Sequence, residues 1–220
     1  MDLDYAKLSS LVVELFSRAN ISMSDEISGH YSKWETHVDI YAVMDTIFNI
    51  LSNKYIKTKC IFFYGSSNSG KTFLMRVLSA GDNFGVIMPI KKYGSSFVLQ
   101  DLPGKDIYIM DELTINDDNV VLLLQLFEGN CFLKTDIKNL DIQHVRGKPV
   151  LCSSNVCPFL YVSSYTMAIR NRCLIIHFTK PNFDILKRIS NQFGQLTNEQ
   201  FIKLKVYLIK KFYYNKSVLV

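Results

Sequence analysis

Apolar residues recur along this chain with two different periods. Over the first 55 residues the period is helical: Leu8, Leu11, Val12, Leu15 and Phe16 share one face, and Ile40, Val43, Met44, Ile47, Phe48 and Leu51 repeat it. Two amphipathic helices are expected, the second opened by Thr36-His37-Val38-Asp39 and closed by the polar Ser52-Asn53-Lys54. The polar stretch from Asn20 to Glu35 between them reads as a loop or short helical turns. From Lys59 onward, apolar runs at 60–64, 85–90, 107–110, 149–153 and 173–178 alternate with helical stretches. That alternation is the pattern of a parallel sheet covered on both faces. Phe183, Ile185, Leu186 and Ile189, then Phe201, Leu204, Tyr207, Leu208 and Phe212, close the chain as two helices. The expected fold class is α/β, divided into a helical region over 1–55, a core over 56–180 and C-terminal helices over 181–220.

Composition narrows this picture only slightly. A length of 220 residues suits one substantial α/β domain with a small accessory piece. No stretch reaches the roughly 18 apolar residues of a membrane span, and Met1-Asp2-Leu3-Asp4 opens acidic without a signal-peptide pattern, so neither a membrane nor secretion is expected. Cys60, Cys131, Cys152, Cys157 and Cys173 form an odd set without a C-x-x-C pair and read as free thiols in a reducing compartment. The net charge of +5 is mild, so any nucleic-acid contact must be local. The lysines of the tail, Lys203, Lys205, Lys210, Lys211 and Lys216, read as a solvated face.

The chemistry begins at residues 65–72. Gly65-Ser66-Ser67-Asn68-Ser69-Gly70-Lys71-Thr72 is a complete G-x-x-x-x-G-K-[ST] phosphate loop, after the apolar run Cys60–Tyr64 and before the helical Phe73–Leu78. Gly65 and Gly70 permit backbone angles that turn amide N–H groups onto phosphate oxygens at the positive end of a helix. Lys71 would reach the β- and γ-phosphates, and the Thr72 hydroxyl a Mg²⁺ ion; ATP and Mg²⁺ are the expected ligands. A second run, Ile107-Tyr108-Ile109-Met110, ends in Asp111-Glu112. Adjacent acids at a strand end face different ways, so Asp111 can serve the metal and Glu112 the attacking water. A third, Val150-Leu151-Cys152-Ser153-Ser154, ends in Asn155, whose amide can both donate and accept beside a γ-phosphate. Between the second and third, residues 132–144 alternate apolar and polar around Lys138-Asn139, a hairpin signal.

This order of motifs, followed by Asn171-Arg172 before the last apolar run, resembles the superfamily 3 helicases, the AAA+ replication motors of parvoviruses and papillomaviruses. The resemblance covers roughly residues 55–180. It implies a P-loop AAA+ sheet, an N-terminal region over 1–55 that oligomerises, and a ring, taken as a hexamer. It also implies a hairpin that grips single-stranded DNA through Lys134, Lys138 and Asn139, although Asn139 and Leu140 stand where the family often has a basic or aromatic residue. Arg172 fits the family's arginine finger, with Arg170 as the alternative. Further implications are a separate origin-binding or nicking domain and, for a virus of this kind, action in the host nucleus.

Two rival readings remain open at this stage. A small P-loop nucleotide or nucleoside kinase would share the loop and the length, but it needs a lid with several arginines, and arginine is sparse between Glu112 and Asn155. A nonhydrolysing DNA-binding scaffold would use ATP as structural glue, yet it has no need of a water-activating acid beside Asp111.

Overall fold

The computed structural model describes residues 3–23, 34–35, 39–87, 98–129, 133–135 and 143–214. Helix α1 (Tyr5–Ser17) starts at Asp4, whose carboxylate accepts from the Lys7 N–H; helix α2 (Ile40–Leu51) starts in the same way at Asp39, which accepts from Tyr41. The buried stripe of α1 is that of the apolar spacing, whereas in α2 Ile50 is fully buried outside the expected stripe and Ile40 and Leu51 are only half-buried. Between the helices the structure corrects the sequence: β1 (Ala19–Ser22) and β2 (Trp34–Glu35) are strands, where a loop or helical turns were expected. Four residues are too few to show a period. Strand β1 is set by what lies beside it, since it pairs antiparallel with a strand of the central sheet and satisfies that edge.

The core strands are β3 (Cys60–Gly65), β4 (Phe84–Val86), β5 (Ile107–Met110), β8 (Val150–Ser154) and β9 (Cys173–Phe178). Of the run expected at 85–90, residues 88–90 lie outside the described ones. The seven-stranded sheet runs β2-β1-β9-β3-β8-β5-β4, and the five strands from β9 to β4 are parallel. Alternation then sorts the side chains. Ile61 and Phe63 face an apolar cluster with α1, α2, α3 (Lys71–Ser79), α6 (Phe183–Phe193) and α7 (Asn198–Ile209). Cys60, Phe62 and Tyr64 face the other cluster, with α4 (Val120–Glu128) and Ile169 of the short α5 (Thr166–Arg170). Helix α1 is thus built into the core that holds the phosphate-loop helix.

Strands β6 (Leu133–Thr135) and β7 (Gln143–Val145) pair antiparallel, with Lys134 opposite His144. This is the base of the expected hairpin; Lys138 and Asn139 lie outside the described residues, as does Cys131. Both closing helices form, but Phe183 is exposed where the apolar pattern placed it on the buried stripe. Lys205 also departs from the solvated face: its ammonium is tied to Asp82 and donates to the Ala80 carbonyl oxygen. Lys203 pairs with Glu199 at the surface. No helix among the described residues is long and apolar enough to cross a membrane.

Candidate active site

The site is assembled at the carboxyl ends of three neighbouring strands, β3, β8 and β5. The chain leaves β3 toward β4 and β5, returns to insert β8 beside β3, and then crosses to β9 on its other side. A crevice at such a reversal is where open α/β sheets bind ligands. A cleft of about 260 Å³ occupies it, lined by residues 67–73 of the loop and its helix, by Asp111 and Glu112 after β5, and by Ser153 and Asn155 at the end of β8.

Gly65 and Gly70 both have positive φ, +138° and +100°. At Gly65 a Cβ would stand 2.1 Å from the carbonyl oxygen of Phe178, so the close passage of β9 fixes this glycine as firmly as the turn does. At Gly70 a Cβ would meet Leu15 of α1 at 3.2 Å, so the first helix is the backing of the loop.

Lys71 is almost buried, and its ammonium donates to the carbonyl oxygens of Gly65 at 2.9 Å and Ser66 at 2.8 Å and to Asn155 Oδ1 at 3.0 Å. Burial lowers its pKa from the ordinary lysine value, against the opposing pull of Asp111 and Glu112. Ser153 Oγ donates to Asp111 Oδ1, and the Glu112 N–H donates to the same oxygen at 3.1 Å and to Ser153 Oγ at 3.3 Å. Glu112 has φ +55°, a left-handed turn that swings it away from the strand direction of Asp111. Both carboxylates nevertheless line the cleft.

The donor set fits a magnesium nucleotide. Among the hydroxyls and carboxylates that line the cleft, Thr72 and Asp111 would be the hard oxygen ligands, a sparse protein complement of the kind with which Mg²⁺ usually binds beside phosphate oxygens. Ser66 Oγ is buried without a hydrogen-bond partner among the described residues. The loop lysine meanwhile holds carbonyl and amide oxygens, acceptors that a phosphate would replace.

The sequence reading missed Asn182. It is buried, its Nδ2 donates to Ser69 O at 2.8 Å, and its N–H donates to Asn68 O at 2.9 Å. It stands at the N-cap of α6 without capping that helix through its side chain, because the side chain is holding the phosphate loop. An Asn after Pro181 and before an amphipathic run signals a cap; its partner is 113 residues away and leaves no local trace. Ser153 was missed too, though a hydroxyl beside Asn155 in a buried strand was a usable sign.

Arg172 is not brought to this cleft. It precedes β9 at the level of Cys60, which puts about six strand residues, or roughly 20 Å, between it and the loop. Its guanidinium pairs with Glu128, the last residue of α4, at 3.1 Å and donates to Ala168 O at 3.0 Å. The Arg170 guanidinium lies over the Phe159 ring, 5.2 Å from its centroid. Arg172 therefore does not reach the cleft of its own subunit.

Residues 35–215 match the family described as parvovirus non-structural protein NS1. The chain belongs to this family. Its sheet is the α/β P-loop AAA+ kind, flanked by helices on both faces. Among solved structures, this NS1-family chain is similar to JCV helicase crystallised with an acetamide compound, at 12% identity and a TM-score of 0.51, over 93% of this chain and 61% of that one. It is also similar to the NrS-1 C-terminal region, at 15% identity and 0.49, over 90% and 43%. The first likeness establishes the shared fold, and the chain spans about three fifths of that helicase's length. No curated protein sequence matches it.

Proposed function

We propose that this chain hydrolyses ATP with Mg²⁺ at the interfaces of a ring, taken as a hexamer, and uses the energy to move along single-stranded DNA during viral genome replication. The observation that carries the reading is the convergence of Lys71, Thr72, Asp111, Glu112 and Asn155 on one cleft from three adjacent strand ends. Lys71 leaves the carbonyls of Gly65 and Ser66 to bind the β- and γ-phosphates, while the amide N–H groups of residues 66–70 cradle them. Thr72 and Asp111 would hold Mg²⁺, which when bound would supply neutralisation of the phosphates' charge. Asn155, released from Lys71, orients the attacking water, and Glu112 accepts its proton. The water oxygen bonds to the γ-phosphorus as the bond to the β-phosphate oxygen breaks, and ADP and phosphate leave.

Arg172 supplies the finger to the neighbouring subunit's γ-phosphate, so each active site takes residues from two chains. It has to exchange Glu128 for that phosphate, a step that belongs with ring assembly. The hairpin carries the load through Lys134, Lys138 and Asn139. Residues 1–55 supply the contacts of a collar through the outward faces of α1 and α2, whose inner faces already belong to the core. A separate origin-binding or nicking domain completes the replication protein, and its site of action is the host nucleus.

Phosphate release from ATP, measured with and without single-stranded DNA and beside a panel of nucleosides, tests this. DNA-stimulated phosphate release is expected. Transfer of label to a nucleoside would replace the motor with a kinase.

A further inference from the structure

A second cleft, of about 280 Å³, lies at the end of the sheet away from the phosphate loop, where the chain enters β5 and β8. Its charged lining is Lys105, Arg146 and Lys148 against Asp106 alone, with His144 at its edge. Three cations to one carboxylate is far from the ratio of the whole chain, 25 to 20. The mild overall charge is therefore locally concentrated.

The cleft is also built rather than incidental. Arg146 and Lys148 flank Gly147, where a Cβ would stand 1.4 Å from Gly129 O, so the two ends of the hairpin segment are pressed together at this point. Tyr108, only 2% exposed, donates its hydroxyl to Arg146 O at 2.7 Å and fixes the exit of the hairpin to β5. Burial pushes that hydroxyl up to about 12, so it remains a donor. Lys105 donates to Asn83 Oδ1 at 3.1 Å, a neutral partner that orients its charge without cancelling it. Lys148 stands 3.6 Å from an Asp106 carboxylate that is 62% exposed, and Arg146 has no carboxylate partner among the described residues. Three cations facing a single exposed carboxylate make a site for anions.

Continuity with the hairpin decides which anion. His144 belongs to β7 and is the register partner of Lys134 on β6, so the cleft is continuous with the base of the hairpin. Three cations set in one cleft beside the hairpin suit a polyanion better than a single phosphate. We propose that this cleft is a second contact for the phosphate backbone of single-stranded DNA, engaging the strand beyond the hairpin through Arg146, Lys148 and Lys105. The proposal rests on the reading of the chain as a DNA-translocating motor.

The test is the binding of a fluorescein-labelled oligothymidylate to the whole chain with ADP, followed by anisotropy over a series of salt concentrations. Each phosphate contact on a single strand contributes about 0.7 to the slope of log affinity against log salt, so Arg146→Ala with Lys148→Ala should lower the slope by about 1.4 and the affinity by about tenfold. Arg146→Lys should keep the wild-type slope, which separates charge from shape, and a melting curve checks the fold of each variant. Wild-type slope and affinity in the double variant would overturn this inference alone. A wild-type chain that binds no oligothymidylate under any of these conditions would overturn the motor reading together with it.

Discussion

Replacing Asn182 with alanine isolates a single buried hydrogen bond on which the phosphate loop depends. The side chain donates to Ser69 O at 2.8 Å, whereas the bond to Asn68 O comes from the backbone and survives the substitution. A neutral hydrogen bond of this kind contributes about 1 kcal/mol, and leaving the carbonyl without its buried donor adds about 1 kcal/mol more. Roughly 2 kcal/mol is therefore removed from the loop conformation that receives phosphate. If all of it falls on the binding-competent state, ADP affinity drops about 30-fold. Titration of a fluorescent ADP analogue reads that loss, and thermal melting reads the part that falls on the whole fold. An affinity within about twofold of wild type, with the loss appearing only in the melting curve, would show that Asn182 supports the fold and not the loop.

Two further outcomes follow from the same geometry. Glu112→Gln keeps the size of the side chain and the left-handed turn but cannot accept a proton, so nucleotide binding should persist while turnover falls at least about a hundredfold; an intact rate would remove Glu112 from the role of base. His177 stacks on Tyr64 with ring centroids 4.2 Å apart, and burial holds its pKa below the ordinary value of 6.5. The folded chain therefore binds fewer protons than the unfolded chain just below pH 6.5, so stability present above that pH declines as acid is added. His177→Phe should flatten this part of the stability profile, and an unchanged profile would assign the acid sensitivity elsewhere.

The elements that could be read from sequence are those whose cause is local. The phosphate loop, the strand ending in Asp111-Glu112 and the strand ending in Asn155 each carry their chemistry beside the apolar run that positions it, and all three fall at adjacent strand ends. What escaped depends on partners distant in the chain. Strand β1 exists because β9 has an edge to pair, Leu15 matters because α1 lies behind Gly70, and Asn182 reaches Ser69 only in the folded protein. Arg172 shows the same limit from the other side. Its position before the last strand was evident, but its ion pair with Glu128 required the end of α4 and the start of β9 to meet.

The central claim is that one active site is divided between two subunits, and mixing two crippled chains tests it most directly. Lys71→Ala removes the proposed phosphate lysine and Arg172→Ala the proposed finger, so each chain alone should be inactive with ATP and single-stranded DNA. In a ring of the two mixed in equal amounts, about a quarter of the interfaces pair an intact loop with an intact finger. The mixture should recover phosphate release to roughly that fraction of the wild-type rate. A mixture as inactive as its components, or an Arg172→Ala chain that turns over normally by itself, would contradict the shared site.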